Sequence, residues 1–317
     1  MLNFYRLPQD YLKFSGNDRL DLINRLSTNQ VIPLDKFSCV KTVLTSDKGR
    51  IIDLLTLYNL GDFVFAACSF NNAKAVLEHL DKYTIMDDFT PADLSGTHKT
   101  ILFFGDKAVE FISGVTGCNV SGLKESHFLV TNTHDAVISL NDNSIDGIEF
   151  IYSINDKDYW ENLFFSDENI SEYGLKEVSG SEYDIERIEL GIPAFGKEMS
   201  ELINPLECGL NKYVSFTKGC YIGQEVIARL DAYDKISKHM VGIKINSATL
   251  PDMDEQLKLT TEGKECGFVT SITDSEKYGF IALGFVKTIF LDYSKEYKLK
   301  YKEGMLDCSI KKLPFTT

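Results

Sequence analysis

One octet of the sequence combines residue types that are suited to chemistry: Lys218-Gly219-Cys220-Tyr221-Ile222-Gly223-Gln224-Glu225. Its two glycines allow the backbone to bend tightly or to approach a ligand on either side of Cys220. In an extended segment Lys218 and Cys220 project to the same side, and a nearby ammonium group favours the thiolate over the thiol. The octet is therefore compatible with a reactive centre at Cys220 and with Lys218 as its catalytic partner. The alternative is a buried cysteine next to a surface lysine, with no chemistry.

The remaining cysteines and the histidines do not form a comparable cluster. The chain has seven cysteines, an odd number with no C-x-x-C pair, and this pattern is typical of a reducing compartment. The five histidines are also scattered, without the spacing of metal ligands. We therefore expect a cytoplasmic protein with no metal site, unless ligands converge from distant segments.

The charge of the chain limits its partners. The formal net charge is −14, and no block of lysine and arginine residues offsets it, which disfavours nucleic acid and acidic membrane surfaces. The longest apolar stretches, such as residues 63–68, have the length of a strand and are too short to span a membrane. The opening residues lack the pattern of a targeting segment. We expect no direct nucleic-acid partner and no membrane association.

The first half of the chain alternates helices and strands. The chain has 317 residues, which is longer than a domain with a single hydrophobic core usually is, so two or three packed units are expected. Residues 15–26 predict a helix, and residues 40–46 and 50–60 predict a hairpin around Asp47-Lys48-Gly49. Further strands and helices alternate after this hairpin, and most of the connections between them resemble the short turns of antiparallel hairpins. This pattern favours an α+β fold over a doubly wound parallel sheet.

The second half changes character twice. Residues 182–190 predict a helix, and glycine and proline then recur through residues 191–223, which is typical of a functional, loop-rich segment. From about residue 237 short strands alternate with turns and predict a small barrel or sandwich. The predicted domains are therefore residues 1–236 and residues 237–317.

The octet is similar, residue for residue, to the K-G-C-Y-x-G-Q-E signature of the folate-binding YgfZ family. Members of that family resemble the T-protein, the aminomethyltransferase of the glycine cleavage system. Further stretches resemble the same family in the same order along the chain, including an R-I-E-x-G-x-P stretch and an N-P-L-E stretch. They are residues 16–18 with 26–30, 45–53, 186–198, 204–210, 267–271 and 282–284.

The resemblance implies a T-protein-like region over residues 1–236, organised as two interleaved subdomains around a central folate site, and a C-terminal β-barrel-like domain. It also implies tetrahydrofolate or a derivative as cofactor. It places Glu189 where the pterin is held. A carboxylate suits this role, because it can accept both the ring N–H and the exocyclic amino group of a pterin. The alternative is a surface glutamate paired with Arg187 or Lys197. The other cofactor-binding residues predicted on this basis are Arg187, Phe195, Tyr221, Gln224 and Glu225.

The first hairpin departs from the T-protein pattern. T-proteins carry a doubled aspartate there, one residue of which serves amine transfer to folate, whereas Asp53 of this chain is followed by Leu54. T-proteins also lack a cysteine at the position of Cys220. We therefore predict a YgfZ-like protein that binds reduced folate and supports assembly or repair of iron–sulfur enzymes, including radical tRNA-modifying enzymes, through transient contacts. On this basis Cys220 is its predicted reactive centre, with Lys218 as the catalytic partner.

Two other functions stay open. One is a folate-dependent aminomethyltransferase or demethylating enzyme, with Asp53 as a possible catalytic residue. The other is a folate-binding scaffold without chemistry of its own. The sequence leaves open whether the chain is an enzyme.

Overall fold

The structure is a computed structural model that describes residues 2–141, 145–232, 235–247, 249, 257–302 and 304–315. Its contacts group the chain into two compact units. Unit 1 consists of Met1–Thr45, Ile52–Gly180 and Tyr213–Ile222, and unit 2 consists of Ser46–Ile51, Ser181–Lys212 and Gly223–Thr317. Each unit is therefore assembled from separate stretches of sequence. The domain boundary suggested at residue 236 stays a prediction.

Unit 1 contains two β-sheets. The strands of the six-stranded sheet are β1 (Leu2–Leu7), β7 (His98–Phe104), β8 (Phe128–Val130), β9 (Val137–Asn141), β10 (Gly147–Ser153) and β11 (Leu175–Glu177), in the order β11-β1-β7-β10-β9-β8. The strands of the five-stranded sheet are β2 (Gln9–Ser15), β3 (Cys39–Thr45), β4 (Ile51–Asn59), β5 (Val64–Ser69) and β6 (Thr90–Asp93), in the order β3-β4-β5-β2-β6. The predicted hairpin of β3 and β4 is confirmed. Strand β11 runs parallel to β1, whereas β7, β10 and β9 pair antiparallel with their neighbours.

The helices of unit 1 cover the outer faces of these sheets. They are α1 (Arg19–Leu26), α2 (Ala73–Tyr83), α3 (Ala108–Thr116), α4 (Lys157–Phe164) and α5 (Asp167–Tyr173). Alternation along β2 illustrates the layering: Leu12 and Phe14 join the core that contains α1 and α2, whereas Tyr11 joins a core shared by both sheets. Burying such a side chain contributes about 1.5–3 kcal/mol. No helix in the described part of the chain is long and apolar enough to cross a membrane.

Unit 2 contains a closed six-stranded barrel with the strand order β12-β15-β14-β13-β16-β17, and the predicted C-terminal all-β unit is confirmed. Its strands are β12 (Lys238–Ile245), β13 (Lys258–Thr261), β14 (Lys264–Ser275), β15 (Gly279–Lys287), β16 (Tyr297–Tyr301) and β17 (Gly304–Lys311). Side chains such as Ile243, Leu259 and Leu299 fill the barrel. On its outer surface Ile281 and Leu283 pack against Ile188 of α6 (Gly180–Leu190). A further helix, α7 (Gln224–Ala232), begins within the octet.

A glycine of the octet has a packing role in unit 2. Gly223 has a φ of +78°, and a Cβ atom there would lie 2.5 Å from the carbonyl oxygen of Ser46 and 2.9 Å from the Cα of Gly49. The Asn204 side chain also donates to the carbonyl of Gly49, at 2.8 Å. Gly223 is therefore needed for backbone-to-backbone packing, which no residue with a side chain allows. Gly219, by contrast, has nothing within 4 Å of its Cβ position.

Candidate functional site

Lys218 joins the octet to the end of helix α1. Its residue is 7% exposed, and its ammonium group donates to the carbonyls of Asn24 at 2.7 Å, Ser27 at 2.9 Å and Asn29 at 2.5 Å. The last carbonyls of a helix lack partners within the helix, and a cation stabilises this negative end of the helix dipole. Burial lowers the pKa of Lys218 to about 8, so the amine is still mostly protonated at pH 7. Lys218 thus acts as a cap for α1.

Further hydrogen bonds hold the same segment of unit 1, Tyr213–Ile222, which we call the Cys220 arch. The backbone N–H of Ile222 donates to the carbonyl of Arg25 at 2.9 Å, and the Thr45 hydroxyl donates to the carbonyl of Ile222 at 3.0 Å. At the other end the Thr28 hydroxyl donates to the carbonyl of Tyr213 at 2.7 Å. Both ends of the arch are therefore fixed to buried parts of unit 1.

Cys220 lies exposed on this fixed arch. The next residue, Tyr221, is only 8% exposed, and the Lys218 ammonium lies 5.3 Å from the centre of its ring. Tyr221 therefore packs against Lys218, and burial raises the pKa of its hydroxyl to about 12. An exposed thiol on a segment held at both ends is accessible to a partner molecule and fixed in position.

The other six cysteines have different surroundings. Cys118 is half-buried, and the remaining five are buried: Cys39, Cys68, Cys208, Cys266 and Cys308. Burial raises the pKa of the thiols of Cys68, Cys208, Cys266 and Cys308. Because the thiolate is the nucleophile and the metal ligand, these thiols are unreactive packing residues.

The arrangement of Lys218 and Cys220 contradicts the alternative sequence interpretation and leaves the preferred one untested. The alternative interpretation had a buried cysteine and a surface lysine, whereas here the cysteine is exposed and the lysine is buried. The preferred interpretation had the ammonium stabilising the thiolate, but all three N–H groups of Lys218 have backbone carbonyl acceptors. The i, i+2 argument assumed an extended strand, whereas the arch is irregular, so a direct effect of the ammonium on the thiol stays a prediction. Lys218 is a structural support of the arch, and a catalytic role for it stays a prediction.

Asp53, the possible catalytic residue of the alternative function, is fully buried in unit 1. Its carboxylate accepts hydrogen bonds from the backbone N–H and hydroxyl of Ser69 at 3.0 and 2.6 Å, from the Asn72 amide at 2.9 Å and from the Leu54 N–H at 2.7 Å. Burial raises its pKa, and these hydrogen bonds oppose the rise. Asp53 therefore ties β4 to the end of β5 and to the start of α2.

Glu189, the predicted pterin ligand, lies in the last turn of α6 in unit 2. Its side chain is 11% exposed. One carboxylate oxygen accepts from the Ser275 hydroxyl at 2.6 Å, and the other pairs with the Lys277 ammonium at 3.1 Å. The sequence alternative, an exposed glutamate paired with Arg187 or Lys197, is therefore wrong about burial and about both partners. The barrel, which the local sequence around Glu189 does not specify, supplies the partners instead.

Arg187, predicted to contact the cofactor, is 2% exposed. Four of its five N–H groups have acceptors in unit 2: the Asp184 carboxylate, the Glu198 carboxylate at 3.1 Å, the Ile192 carbonyl at 3.3 Å and the Ser271 hydroxyl at 2.8 Å. Glu198 is itself fully buried. This network joins α6 and the following loop to β14. Arg187 has at most one N–H left for a ligand, so its geometry favours a structural role.

The three remaining predicted residues also belong to unit 2. Phe195 is half-buried and forms a bridge with Met199. Gln224 and Glu225 occupy the first turn of α7, half-buried and exposed respectively. Among the described residues, none of the three is a hydrogen-bond or ion-pair partner of Glu189. Their predicted contacts with a cofactor stay predictions.

Sequence reasoning missed the residues that surround Glu189 and Arg187. Ser275 and Lys277 lie at the turn between β14 and β15, 86 and 88 residues from Glu189, and no local pattern connects them. Glu198 lies within the stretch that resembles the YgfZ family, yet its residue type alone did not indicate that it is fully buried. Nowhere in the described ranges do three or more His, Cys, Asp or Glu side chains form a group that could hold a metal ion.

Unit 1 also contains a cavity of about 480 Å³. Arg6, Lys99 and Lys157 line it, together with one carboxylate, Glu161, and the exposed ring of Phe70. Arg6 pairs with Glu161 at 2.7 Å, whereas neither lysine has an ion-pair partner among the described residues. The excess of positive charge and the aromatic wall suit a small organic anion with an apolar part.

The fold and these features define a two-unit α+β protein with a C-terminal barrel, a fixed exposed thiol and a buried glutamate carboxylate. The family described as "GCVT N-terminal domain" matches residues 10–218 of the chain. The chain therefore belongs to this family, which is related to the aminomethyltransferases of glycine cleavage.

Similar proteins include the aminomethyltransferase of Aquifex aeolicus, 28% identical over 288 residues that cover 89% of this chain and 76% of that protein. The aminomethyltransferase of Oceanobacillus iheyensis is 26% identical over 300 residues, which cover 91% of this chain and 79% of that protein. The chloroplastic protein At1g60990 of Arabidopsis thaliana is 26% identical over 284 residues. These 284 residues cover 87% of this chain. The chain spans only 63% of the length of the Arabidopsis protein.

A solved structure shows the same fold. The crystal structure of the glycine cleavage system aminomethyltransferase T from Bartonella henselae superposes with a TM-score of 0.85, covering 99% of this chain and 86% of that one at 18% sequence identity. The T-protein-like fold implied by the resemblance of the sequence is therefore confirmed.

Proposed function

We propose that this chain is a YgfZ-like protein that binds a reduced folate, tetrahydrofolate or a derivative, and supports the assembly or repair of iron–sulfur enzymes. Radical enzymes that modify tRNA are among the clients that we propose, in a reducing cytoplasm and through transient contacts. The observation that carries the proposal is the Cys220 arch, which holds one exposed thiol in a fixed position while the other thiols are buried or half-buried.

The folate part of the proposal is supported by the family and by Glu189. A carboxylate at the end of α6, with a buried stem and one oxygen paired only with an exposed lysine, can accept the two N–H groups at the edge of a pterin. Such charge-assisted hydrogen bonds contribute about 1.5–3 kcal/mol each. The cavity of unit 1 is a second place that suits an anionic ligand, and variants of Lys99 and Lys157 test it separately.

Aminomethyl transfer is the second candidate function, because the relatives from Aquifex aeolicus and Oceanobacillus iheyensis and the solved structure from Bartonella henselae are all named aminomethyltransferases. Two observations weigh against it here. Leu54 replaces the second aspartate of the T-protein hairpin, and the Asp53 carboxylate is occupied by four hydrogen bonds in a fully buried position. We therefore favour the accessory role.

Glycine-cleavage turnover is expected to be absent or marginal. The assay combines the chain with aminomethylated lipoyl carrier protein and tetrahydrofolate, and it measures the transfer of the one-carbon unit. An active T-protein in the same assay is the positive control. A turnover number near 1 s⁻¹ or above, which is ordinary for an enzyme, would decide for the aminomethyltransferase function.

Cys220 is expected to react fastest with a thiol reagent and to be required in cells. Labelling of the folded protein, followed cysteine by cysteine with mass spectrometry, should place Cys220 ahead of Cys118 and of the buried thiols, because exposure controls access of the reagent. Cys220→Ser should abolish rescue of iron–sulfur enzyme activity in cells that lack the protein, while folate binding is retained.

The matched control for these experiments is Cys118→Ser, which changes the other partly accessible thiol and should rescue fully. Expression levels and melting temperatures of both variants are measured, so that loss of folding is separated from loss of the thiol. Full rescue by Cys220→Ser, with Cys220 labelling no faster than the other cysteines, would mean that the octet is structural and that the proposed role of the thiol is wrong.

A further inference from the structure

We propose that Lys277 is a displaceable latch on Glu189, which must leave the carboxylate before a ligand with two adjacent hydrogen-bond donors can bind there. This inference rests on the proposed function of Glu189 and adds a residue that regulates the same site. The ligand class is a fused heterocycle with a ring N–H beside an exocyclic amino group, as in a pterin.

The two partners of Glu189 are held very differently. Ser275 is 1% exposed, and its hydroxyl oxygen also accepts the backbone N–H groups of Lys277 and Tyr278, both at 3.1 Å. The turn itself thus fixes the Ser275 side chain. Its hydroxyl donates to one oxygen of Glu189 at 2.6 Å, so this oxygen keeps a permanent partner.

The Lys277 side chain, by contrast, is 66% exposed although its ammonium pairs with the other oxygen of Glu189 at 3.1 Å. The hydrogen bond and the negative charge of Glu189 raise the pKa of Lys277, so the amine is charged at neutral pH. Water solvates the ammonium when this exposed side chain turns outward, so the main cost of its release is the loss of one partner of the buried Glu189 carboxylate. A ligand that donates to the same oxygen replaces that partner.

A ligand can reach the side chain of Glu189 from few directions. This side chain is 11% exposed, and the chain beyond the barrel contributes to the surroundings, since the backbone N–H of Phe315 donates to the Glu189 carbonyl at 2.8 Å. The oxygen held by Lys277 is the one whose partner can move. A ligand that donates to both oxygens must displace the ammonium and forms two hydrogen bonds in return. A ligand with a single donor forms only one hydrogen bond and therefore gains less binding free energy from displacing the ammonium. The latch therefore favours ligands with paired donors.

Two substitutions of Lys277 with opposite expected effects test the latch. Lys277→Met keeps the length of the side chain but removes the ammonium, and it should bind tetrahydrofolate about two- to fivefold more tightly. Lys277→Arg can pair with the carboxylate through two N–H groups, and it should bind about two- to fivefold more weakly. Calorimetric titration with tetrahydrofolate under reducing conditions measures both. Lys258→Met is the matched control, because Lys258 is another partly exposed barrel lysine with an ion pair, to Glu265 at 2.9 Å.

The outcomes separate the latch from the proposed function. Weaker binding by Lys277→Met together with normal binding by Lys277→Arg would show that Lys277 holds the ligand, and the latch would be wrong. If Glu189→Gln weakens binding while both Lys277 variants bind like the unmodified chain, the latch fails and the role of Glu189 stands. If Glu189→Gln binds normally, the role of Glu189 fails and the latch fails with it.

Discussion

Glu189→Gln is expected to bind tetrahydrofolate about 30- to 150-fold more weakly than the unmodified chain. The substitution keeps the shape of the side chain but removes the negative charge and one acceptor, so a bidentate contact with the pterin becomes a single neutral hydrogen bond. The loss of a buried charge-assisted contact costs about 2–3 kcal/mol, which corresponds to this change in affinity. Calorimetry or intrinsic fluorescence measures it.

The matched control is Glu186→Gln, one turn earlier on the same helix. Glu186 is half-buried and interacts electrostatically with Lys277 and Glu189, but it is not the predicted pterin ligand, so its substitution should change the affinity far less than Glu189→Gln does. If Glu189→Gln binds tetrahydrofolate as well as the Glu186→Gln control does, Glu189 is not the carboxylate that holds the pterin.

Lys218→Met is expected to lower the free energy of unfolding by about 3 kcal/mol, with a fall in Tm of roughly 4–5 °C. The substitution keeps the length of the side chain but removes the ammonium that serves the carbonyls of Asn24, Ser27 and Asn29. A buried acceptor left without a partner costs about 1–3 kcal/mol, and the three losses do not add fully because water can enter. Thermal and denaturant unfolding measure the change.

Lys124→Met is the control for this substitution, since Lys124 is an exposed lysine of unit 1 and surface changes usually stay within about 0.5 kcal/mol. An equally small effect of Lys218→Met would mean that the ammonium is not needed to cap α1. In that case its place beside Cys220 in the sequence would again require a chemical explanation.

The local elements of the fold were predictable, because their signals lie within a few residues of one another. The turn residues Asp47-Lys48-Gly49 and the apolar runs beside them predict the hairpin of β3 and β4, and short strands with regular turns predict the barrel. The octet stood out as a cysteine between two glycines, but its spacing alone left a structural interpretation open, and the resemblance to the YgfZ signature favoured a functional one.

The contacts of the predicted site residues were not predictable, because they join segments that are far apart in the chain. Lys218 meets the carbonyls of α1 across about 190 residues, and Glu189 meets Lys277 across 88 residues. Periodicity and spacing describe one element at a time and carry no information on which element packs against it. For the same reason the two alternative interpretations, a surface Lys218 and a surface Glu189, are wrong: both charged groups are buried because distant partners satisfy them.

Titration of the full chain with tetrahydrofolate tests the central claim most directly. Calorimetry under reducing conditions should give a saturable isotherm with one folate per chain, and 5-formyltetrahydrofolate, which has the same pterin edge, should compete for the site. The absence of any binding signal for either compound up to millimolar concentration, with a chain that unfolds cooperatively, would contradict the account.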